Sequence, residues 1–289
     1  MLGIIDVGGG LRDIYGAGVL DYCLAQGIGF DYCIGVSAGS ANLSSYIAGQ
    51  QCRSYRFYAD YAFRREYMGW SHFFRNGSYL DLDYIYGTLT NAGGEDPLDY
   101  PAIAASDKRF VIVAMNARTG QTTYFTKADL KQDDYAPIKG SSCVPAVNRP
   151  YPVGDGLYFD GGVCDPIPVE RAFQDGCDRV VVILTRPKDA RRDPAKDRLF
   201  TQMLRWKWPK AAERMANRAA LYNRQLEQAI RYEAEGKVMI VSPSDIYGLG
   251  TLSKDREALL KLYEAGKRDA RKIAAFLNPG HSAEKEGRE

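Results

Sequence analysis

Short, continuously apolar runs alternate along this chain with longer segments in which apolar residues recur at helical spacing. A continuous apolar run of about 4–8 residues is typical of a buried strand, and recurrence every three or four positions is typical of a helix. Strands are predicted at residues 2–7, 31–36, 109–114, 121–126, 179–185 and 237–241, and helices at residues 11–26, 38–49, 53–68, 166–174, 196–235 (interrupted near Pro209) and 253–277. Apolar strands separated by helices predict an α/β fold, with a mostly parallel central sheet covered by helices on both faces.

The domain organisation follows from the same pattern. No internal repeat, low-complexity segment or clear linker divides the chain, and the best candidate boundary lies at residues 186–196. We therefore predict a single domain over residues 1–277, with a motif-bearing core at 1–187 and a helical C-terminal part at 188–277. Residues 278–289 are predicted to be a polar tail.

The composition limits the partners and the cellular locations that we expect for this protein. The 289 residues are enough to bury a substantial core, and a formal net charge of +2 gives no field that would draw the chain to nucleic acid. The six cysteines form no C-x-x-C pair, so zinc-ligand spacing is missing and the thiols suit a reducing compartment. The N-terminus has no signal-peptide pattern, and no run approaches the roughly 20 apolar residues that span a bilayer. We expect a cytoplasmic protein with no nucleic-acid partner, no metal and no cofactor.

Residues 35–39, with the sequence Gly-Val-Ser-Ala-Gly, lie between a predicted strand and a predicted helix. Gly35 and Gly39 leave room for a sharp turn. Such a turn exposes the hydroxyl of Ser37 and aims the first helix amides at the same point. The pattern is weak alone, and its strand–turn–helix context is what favours a catalytic serine. An ordinary tight turn between strand and helix is the alternative.

A second turn, formed by Gly8, Gly9 and Gly10 and followed by Leu11 and Arg12, joins the first predicted strand to a helix. Its glycines leave backbone amides free to approach an anion, as in a phosphate site or in the oxyanion hole of an acyl hydrolase. The pattern G-x-G-x-x-G is incomplete because position 13 is aspartate, and no Lys-Ser or Lys-Thr pair follows. We therefore favour an oxyanion hole, with a glycine-rich packing turn as the alternative.

A carboxylate on a tight loop is offered by Asp160, which Gly161 and Gly162 follow. A serine nucleophile needs a base within hydrogen-bond reach, and the chain has only two histidines. His72 lies in an aromatic stretch expected to be a packed loop, and His281 lies in the polar tail. A carboxylate in a rigid, partly desolvated loop can take the proton directly, because desolvation raises its pKa. Asp160 is therefore the predicted base.

Together these three segments, in this order and spacing, resemble the motifs of the patatin-like phospholipase family over residues 5–187, with a weaker likeness up to the last helix. The resemblance implies a three-layer α/β/α sandwich and a Ser-Asp dyad that hydrolyses carboxylic esters. Ser37 would be the nucleophile and Asp160 the base.

The family's oxyanion motif resembles residues 8–12. By this resemblance Gly9, Gly10 and neighbouring amides would hold the oxyanion, with the Arg12 side chain beside them. Asp13 departs from the family motif, which usually has glycine there. An acid at this position is expected to weaken anion stabilisation unless its side chain points away.

The implied activity is the hydrolysis of lipid esters, as by a phospholipase A or a lysophospholipase, without a metal. An esterase for soluble esters and a non-catalytic module that binds phosphate or nucleotide are the alternatives. The aromatic-rich residues 55–86 would serve an acyl-chain pocket or, the favoured explanation, the core. Residues 203–208 mix basic and aromatic groups, which suits peripheral contact with a membrane, although a packed helix end is favoured. A lipid or other acyl ester is thus the predicted partner, and no oligomeric state is predicted.

Overall fold

The computed structural model describes residues 1–277, so the predicted tail lies outside the described residues. The strands are β1 (Leu2–Asp6), β2 (Tyr32–Val36), β3 (Arg109–Asn116), β4 (Thr122–Thr126), β5 (Tyr151–Val153), β6 (Gly156–Asp160), β7 (Arg179–Ile183) and β8 (Val238–Val241). The helices are α1 (Ile14–Ala25), α2 (Ala38–Ile47), α3 (Arg53–Ala59), α4 (Trp70–Asn76), α5 (Tyr100–Ala105), α6 (Ala136–Ser141), α7 (Val169–Gln174), α8 (Arg198–Arg205), α9 (Pro209–Ala234), α10 (Arg256–Asp269) and α11 (Lys272–Leu277). Every predicted strand is present, and β5 and β6 are two strands that the sequence did not indicate.

The eight strands form one sheet, in which hydrogen-bonded neighbours run β5-β6-β3-β2-β1-β7-β8 and β4 also pairs with β3. The strands β3, β2, β1, β7 and β8 are parallel to one another. By contrast, β4 and β6 run antiparallel to β3, and β5 runs antiparallel to β6. The prediction of a mostly parallel sheet is confirmed, and the carboxyl ends of its parallel strands open onto one edge, where α/β proteins place their sites.

Successive residues of a strand point to opposite sides of the sheet. Both faces are apolar here, and helices cover both of them. In β1, Ile4 belongs to an apolar cluster with Ile14 of α1 and Leu259 of α10. Ile5 belongs to a second cluster with Leu226 of α9. All five side chains are completely buried, and each such burial stabilises the fold by about 1.5–3 kcal/mol. Two cores on opposite faces confirm the three-layer α/β/α arrangement.

The predicted helix at residues 53–68 is wrong beyond Ala59, where α3 ends and a short 3-10 turn over Tyr61–Phe63 follows. The Asp96 carboxylate accepts hydrogen bonds from the Arg56 side chain at 2.6 and 2.9 Å and from the Tyr61 hydroxyl at 3.3 Å. On a continuous helix, residues five apart would point about 140° away from each other and could not meet one carboxylate. The shared contact therefore requires the helix to break.

Two other helical segments differ in detail from the sequence pattern. The predicted helix at residues 253–277 is divided into α10 and α11, and the predicted loop around His72 contains α4. The long tract at 196–235 is divided as predicted, with Pro209 in the first turn of α9. Within residues 1–277, no helix is both long enough and apolar enough to cross a bilayer.

Candidate active site

The register of β3 brings two distant loops together. Val113 of β3 pairs with Val36 at the end of β2, and the next residue, Ala114, pairs with Asp160 at the end of β6. Because β4 occupies the opposite edge of β3 along both residues, β2 and β6 share one edge and end beside each other. Ser37, which follows Val36, therefore lies next to Asp160, and both line one cavity.

Ser37 occupies a sharp turn between β2 and α2. Its backbone has φ 57° and ψ −131°, a conformation that costs on the order of 1–3 kcal/mol for a residue other than glycine. An ideal Cβ on Gly35 would lie 2.3 Å from Ser40 Cα, and one on Gly39 would lie 2.3 Å from the Asp6 backbone oxygen. Only glycine therefore fits on either side of the serine, as the sequence pattern predicts.

Neighbouring serines hold the backbone of this turn. The Ser141 hydroxyl accepts a hydrogen bond from the Ser37 amide at 2.9 Å and donates one to the Val113 carbonyl at 2.6 Å. The Ser40 amide and hydroxyl both donate to the Ser37 carbonyl, at 3.0 and 2.7 Å. The backbone groups of Ser37 are thus occupied, which leaves its hydroxyl to face the cavity.

Asp160 is only 6% exposed, and burial raises the pKa of its carboxyl above the ordinary value. The Ser37 hydroxyl, then the charge of Arg218 and the Gly162 amide, bring the pKa part of the way back. The Gly162 amide donates to Asp160 Oδ1 at 2.7 Å. The contact between hydroxyl and carboxylate is not a fully formed hydrogen bond here, and such contacts are often long before substrate binds. A buried carboxylate with a raised pKa is the stronger base that abstraction of a serine proton requires.

The glycine loop lies against the serine turn and is fixed from two sides. The Thr185 hydroxyl donates to the Gly8 carbonyl at 2.6 Å, and an ideal Cβ on Gly9 would lie 2.3 Å from that hydroxyl oxygen. The Gly8 amide donates to Asp6 Oδ1 at 3.1 Å. An ideal Cβ on Gly8 would also lie 3.0 Å from the Ser37 Cβ. The loop is therefore held close to the serine by contacts that only glycine permits.

The hydrogen bonds of this loop reduce the number of backbone amides that are available to form the predicted oxyanion hole. The Gly8 amide is occupied, and the Leu11 amide donates to the Thr251 carbonyl at 2.8 Å. Within residues 1–277, the amides of Gly9 and Gly10 donate to no acceptor. Of the backbone amides of residues 8–11, those of Gly9 and Gly10 are therefore the donors that remain for an oxyanion.

The serine, the aspartate and the glycine loop form the polar end of a cavity of about 220 Å³. Another part of its wall is made of aromatic and aliphatic side chains, namely Tyr58, Tyr67, Leu80, Leu82, Ile85, Tyr86, Val144 and Val147. Part of the aromatic-rich segment at 55–86 thus lines the site, in addition to contributing to the core, which is the explanation that the sequence favours for this segment. A wall of this kind suits the acyl chain of an ester.

The model of the patatin-like phospholipase family matches residues 7–173, which is more than half of the chain. This chain belongs to the patatin-like phospholipase family. A patatin-like phospholipase domain supports a lipid acyl hydrolase in general. Residues 208–278 match a second family model, a domain of unknown function named DUF6363.

Two proteins illustrate the range of similarity. The uncharacterized protein YjjU of Escherichia coli (strain K12) is 33% identical over 210 residues, which make up 71% of this chain and 57% of YjjU. The alignment therefore spans little more than half the length of that relative. VipD from Legionella pneumophila aligns structurally with 12% identity and a TM-score of 0.47, over 94% of this chain and 66% of VipD.

Asp13, where this chain departs from the family motif, is not among the residues that line the cavity. Its carboxyl lies beside that of Asp6, since an ideal Cβ on Gly16 would lie 2.6 Å from an oxygen of each. Burial raises the pKa of Asp13 well above its usual value and that of Asp6 to about 6. The neighbouring Asp6 carboxyl adds to the rise in the pKa of Asp13, and its Oδ1 accepts the Gly8 amide at 3.1 Å. Asp13 thus lies outside the cavity, beside the carboxyl that holds the Gly8 amide, and burial favours its uncharged form.

Asparagine at position 13 should make stability less sensitive to pH. The folded state binds protons on the two carboxyls more tightly than the unfolded chain, where an aspartate pKa is about 3.9. The free energy of unfolding therefore falls as pH rises from about 4 through the folded pKa of Asp6, which is about 6. Asp13→Asn keeps the size and polarity of the side chain but removes one of the two coupled titrations. Urea denaturation at about pH 5 and about pH 8 should show a smaller loss of stability for the variant.

Asp155→Asn, which changes an exposed acid before β6, is the matched control and should keep the pH dependence of the wild type. Equal pH dependence in the wild type and in Asp13→Asn would contradict a raised pKa of the Asp13 carboxyl in the folded protein.

His72 lies outside the cavity that contains Ser37. Its Nε2 contacts the Arg65 carbonyl at 2.9 Å, and its Nδ1 lies 3.6 Å from the Asp81 carboxylate. His281 lies outside the described residues. Asp160 is therefore the base candidate that the geometry brings beside Ser37.

Sequence reasoning missed several residues of the cavity. Arg186 and Arg192 lie in the segment that the sequence pattern suggests as a domain boundary. Arg218 and Tyr222 lie one turn apart on α9 and both line the cavity. That four-residue spacing is the only local signal that could have placed them on one face.

Proposed function

We propose that this patatin-like phospholipase is a serine acyl hydrolase that cleaves the carboxylic esters of lipids with a Ser37–Asp160 dyad. The observation that carries the proposal is the register of β3, which puts a serine in a strained turn beside a buried carboxylate. The raised pKa of Asp160 supports its role as base, and the apolar part of the cavity wall supports a lipid substrate.

In the proposed acylation step, Ser37 Oγ attacks the ester carbonyl carbon while its proton moves to the Asp160 carboxylate. The carbonyl oxygen becomes the oxyanion and accepts hydrogen bonds from the amides of Gly9 and Gly10. Each such donor stabilises a transition state of this type by about 2.7–4 kcal/mol. The bond to the leaving alcohol then breaks, and the alcohol takes the proton from Asp160. The product is an acyl ester on Ser37.

Deacylation repeats the same chemistry with water. The Asp160 carboxylate takes a proton from a water molecule, whose oxygen attacks the acyl carbon. The second tetrahedral intermediate is held by the same two amides. It collapses with Ser37 as the leaving group, and Asp160 returns the proton to the serine oxygen. The carboxylic acid leaves and the dyad is restored.

Turnover of esters with increasing acyl length tests the proposed activity. Because each buried methylene contributes about 0.8 kcal/mol, kcat/KM for p-nitrophenyl esters should rise roughly tenfold or more from acetate to octanoate. Release of fatty acid from phospholipid vesicles should accompany it. Fastest turnover of acetate would favour an esterase for soluble esters. Absence of turnover with every ester would contradict the hydrolase and favour a binding module for phosphate or nucleotide.

An exposed apolar surface next to the cavity supports a lipid substrate. Leu199, Met203 and Trp206 are 64%, 52% and 96% exposed, and their spacing of four and three residues places them on one side of α8. Phe200, within the same helix, lines the cavity. Trp208 instead packs against the main core. In this proposal the exposed α8 residues contact the bilayer surface, whereas Trp208 is the packed helix end.

Replacing Leu199, Met203 and Trp206 with serine should weaken co-sedimentation with phospholipid vesicles by roughly tenfold or more, because apolar area that would enter the bilayer is lost. Gln202→Ser, an exposed polar position on the same helix, is the matched control. Unchanged vesicle binding by the triple variant would remove the membrane contact from the proposal.

A further inference from the structure

One wall of the active-site cavity is cationic. It contains Arg12 from the glycine loop, Arg186 and Arg192 from the segment after β7, and Arg218 from α9. We name these four residues the arginine wall. Among the described residues that line the cavity, Asp160 is the only one with a carboxyl group. Four arginine side chains thus line a cavity whose lining contains a single carboxyl group, the one that the proposed mechanism already uses.

The protein satisfies these guanidinium groups only in part. Arg12 is 3% exposed, and its Nη1 donates to the Leu249 carbonyl at 3.4 Å. The Nε atoms of Arg12, Arg186 and Arg192 are buried and donate to no acceptor in residues 1–277. Leaving buried donors without acceptors is unfavourable, and an anion in the cavity would supply acceptors.

Arg218 connects the arginine wall to the proposed dyad. Its Nε donates to the Gly162 carbonyl at 3.3 Å, and its Nη1 lies 3.4 Å from the Asp197 carboxylate. The amide of the same Gly162 donates to Asp160 at 2.7 Å. An anion on the wall would therefore be close to an ester held at Ser37.

The positive charges also act on one another. Burial, and then the charge of Arg186, lower the pKa of Arg12 to about 10. Burial, and then the charges of Arg218 and Arg186, lower the pKa of Arg192 to about 9. Both side chains remain protonated at neutral pH, so like charges share one buried wall. A bound anion relieves this repulsion.

We propose that the arginine wall binds a phosphate monoester carried by the substrate, so that the preferred ester is an acylated glycerol phosphate whose phosphate has no further substituent. The inference rests on the proposed hydrolase function. Guanidinium groups bind phosphate oxygens through paired N–H donors, and several of them match a dianion better than a monoanion. A head group that also carries an ammonium would bring a cation against four arginines. Inorganic phosphate offers the same anionic chemistry, so the two sources have to be separated by experiment.

Hydrolysis of three lipids with the same acyl chain measures the preference: 1-acylglycerol 3-phosphate, 1-acylglycerophosphocholine and 1-monoacylglycerol. The wild type should show a kcat/KM at least tenfold higher for the phosphate monoester than for the other two. Arg192→Gln should reduce that ratio at least fivefold, chiefly through KM, because it removes the charge and keeps a planar side chain. Arg186→Gln should act in the same way. Arg224→Gln, exposed on the same helix as Arg218, is the matched control and should keep the wild-type ratio.

Calorimetric titration of Ser37→Ala protein separates head-group binding from catalysis. This protein should bind 1-acylglycerol 3-phosphate at least a hundredfold more tightly than inorganic phosphate, and adding Arg192→Gln should weaken the lipid binding at least fivefold. Equal kcat/KM for the three lipids in an active wild type would overturn the inference and leave the hydrolase function standing. A wild type without turnover, whose Ser37→Ala form binds inorganic phosphate as tightly as the lipid, would contradict the hydrolase function and identify a site for free phosphate.

Discussion

Replacing Ser37 with alanine should lower kcat/KM for ester hydrolysis by roughly 10⁴-fold or more, because the proposed mechanism has no other nucleophile. The fold should be retained. The hydrogen bonds that hold this turn use the Ser37 amide and carbonyl, which alanine keeps. Turnover of p-nitrophenyl octanoate by the purified variant, together with its melting temperature, measures both expectations.

The matched control is Ser44→Ala on α2. Ser44 is also buried, but its hydroxyl donates to the Ala41 carbonyl of its own helix at 2.7 Å. This variant should keep kcat/KM within about twofold of the wild type, because removing a hydroxyl that bonds only to its own helix backbone is a small perturbation. Activity of Ser37→Ala within tenfold of the wild type would contradict Ser37 as nucleophile.

Replacing Asp160 with asparagine should lower kcat/KM by roughly 10²–10⁴-fold, the range that removal of a general base produces. The amide has nearly the same shape, and its oxygen can still accept the Gly162 amide, but it cannot take the serine proton. Because burial raises the pKa of Asp160, wild-type activity should fall on acidification as the carboxylate is protonated. That acidic limb should be absent from the residual activity of the variant, as a profile of kcat/KM against pH would show.

Asp165→Asn is the control for Asp160→Asn. Asp165 is a buried carboxyl close by in the chain whose pKa burial also raises, but it accepts hydrogen bonds from Tyr124 at 2.7 Å and Gln225 at 2.6 Å. We expect this variant to keep most of the activity, although it can lower stability. An Asp160→Asn enzyme that retains the wild-type rate and its acidic limb would rule out Asp160 as the base.

Local signals in the sequence are sufficient to propose Ser37 and Asp160 as the dyad. They do not show that the two residues lie close together. The serine turn follows a strongly apolar strand and is flanked by two glycines, and both features are readable from neighbouring residues. The approach of Asp160 depends on β6, whose pairing with β3 is non-local. Its residues 156–160 follow an Asp-Gly turn signal and are too few to show a strand period, so the strand could not be predicted.

The arginine wall illustrates a second limit of prediction from the sequence, because its members come from separate segments of the chain. Arg186 and Arg192 lie in a polar stretch without periodicity, and Arg218 lies on the long helix α9. Nothing in their neighbours distinguishes these cations from exposed ones. Arg218 joins Arg186 and Arg192 in one cavity because α9 packs against the segment that follows Asp160 and against residues 194–197, and packing of that kind is a tertiary property.

The position of the Asp13 side chain also could not be predicted from the sequence. The sequence showed an acid next to the glycine loop, where a negative charge would oppose an oxyanion. In the structure its carboxyl lies outside the cavity beside that of Asp6, and burial raises the pKa of both groups, which favours their uncharged forms. Asp6 holds the loop through the Gly8 amide, so the departure from the family motif at position 13 is compatible with the proposed oxyanion hole.

Labelling with a fluorophosphonate probe tests the Ser37–Asp160 dyad most directly, because the probe reacts only with a serine whose hydroxyl is activated. Intact-mass and peptide analysis should find one adduct per chain, on Ser37, and labelling should be lost in Ser37→Ala and strongly slowed in Asp160→Asn. An adduct on another residue, or labelling of Ser37 at an unchanged rate in Asp160→Asn, would contradict the dyad.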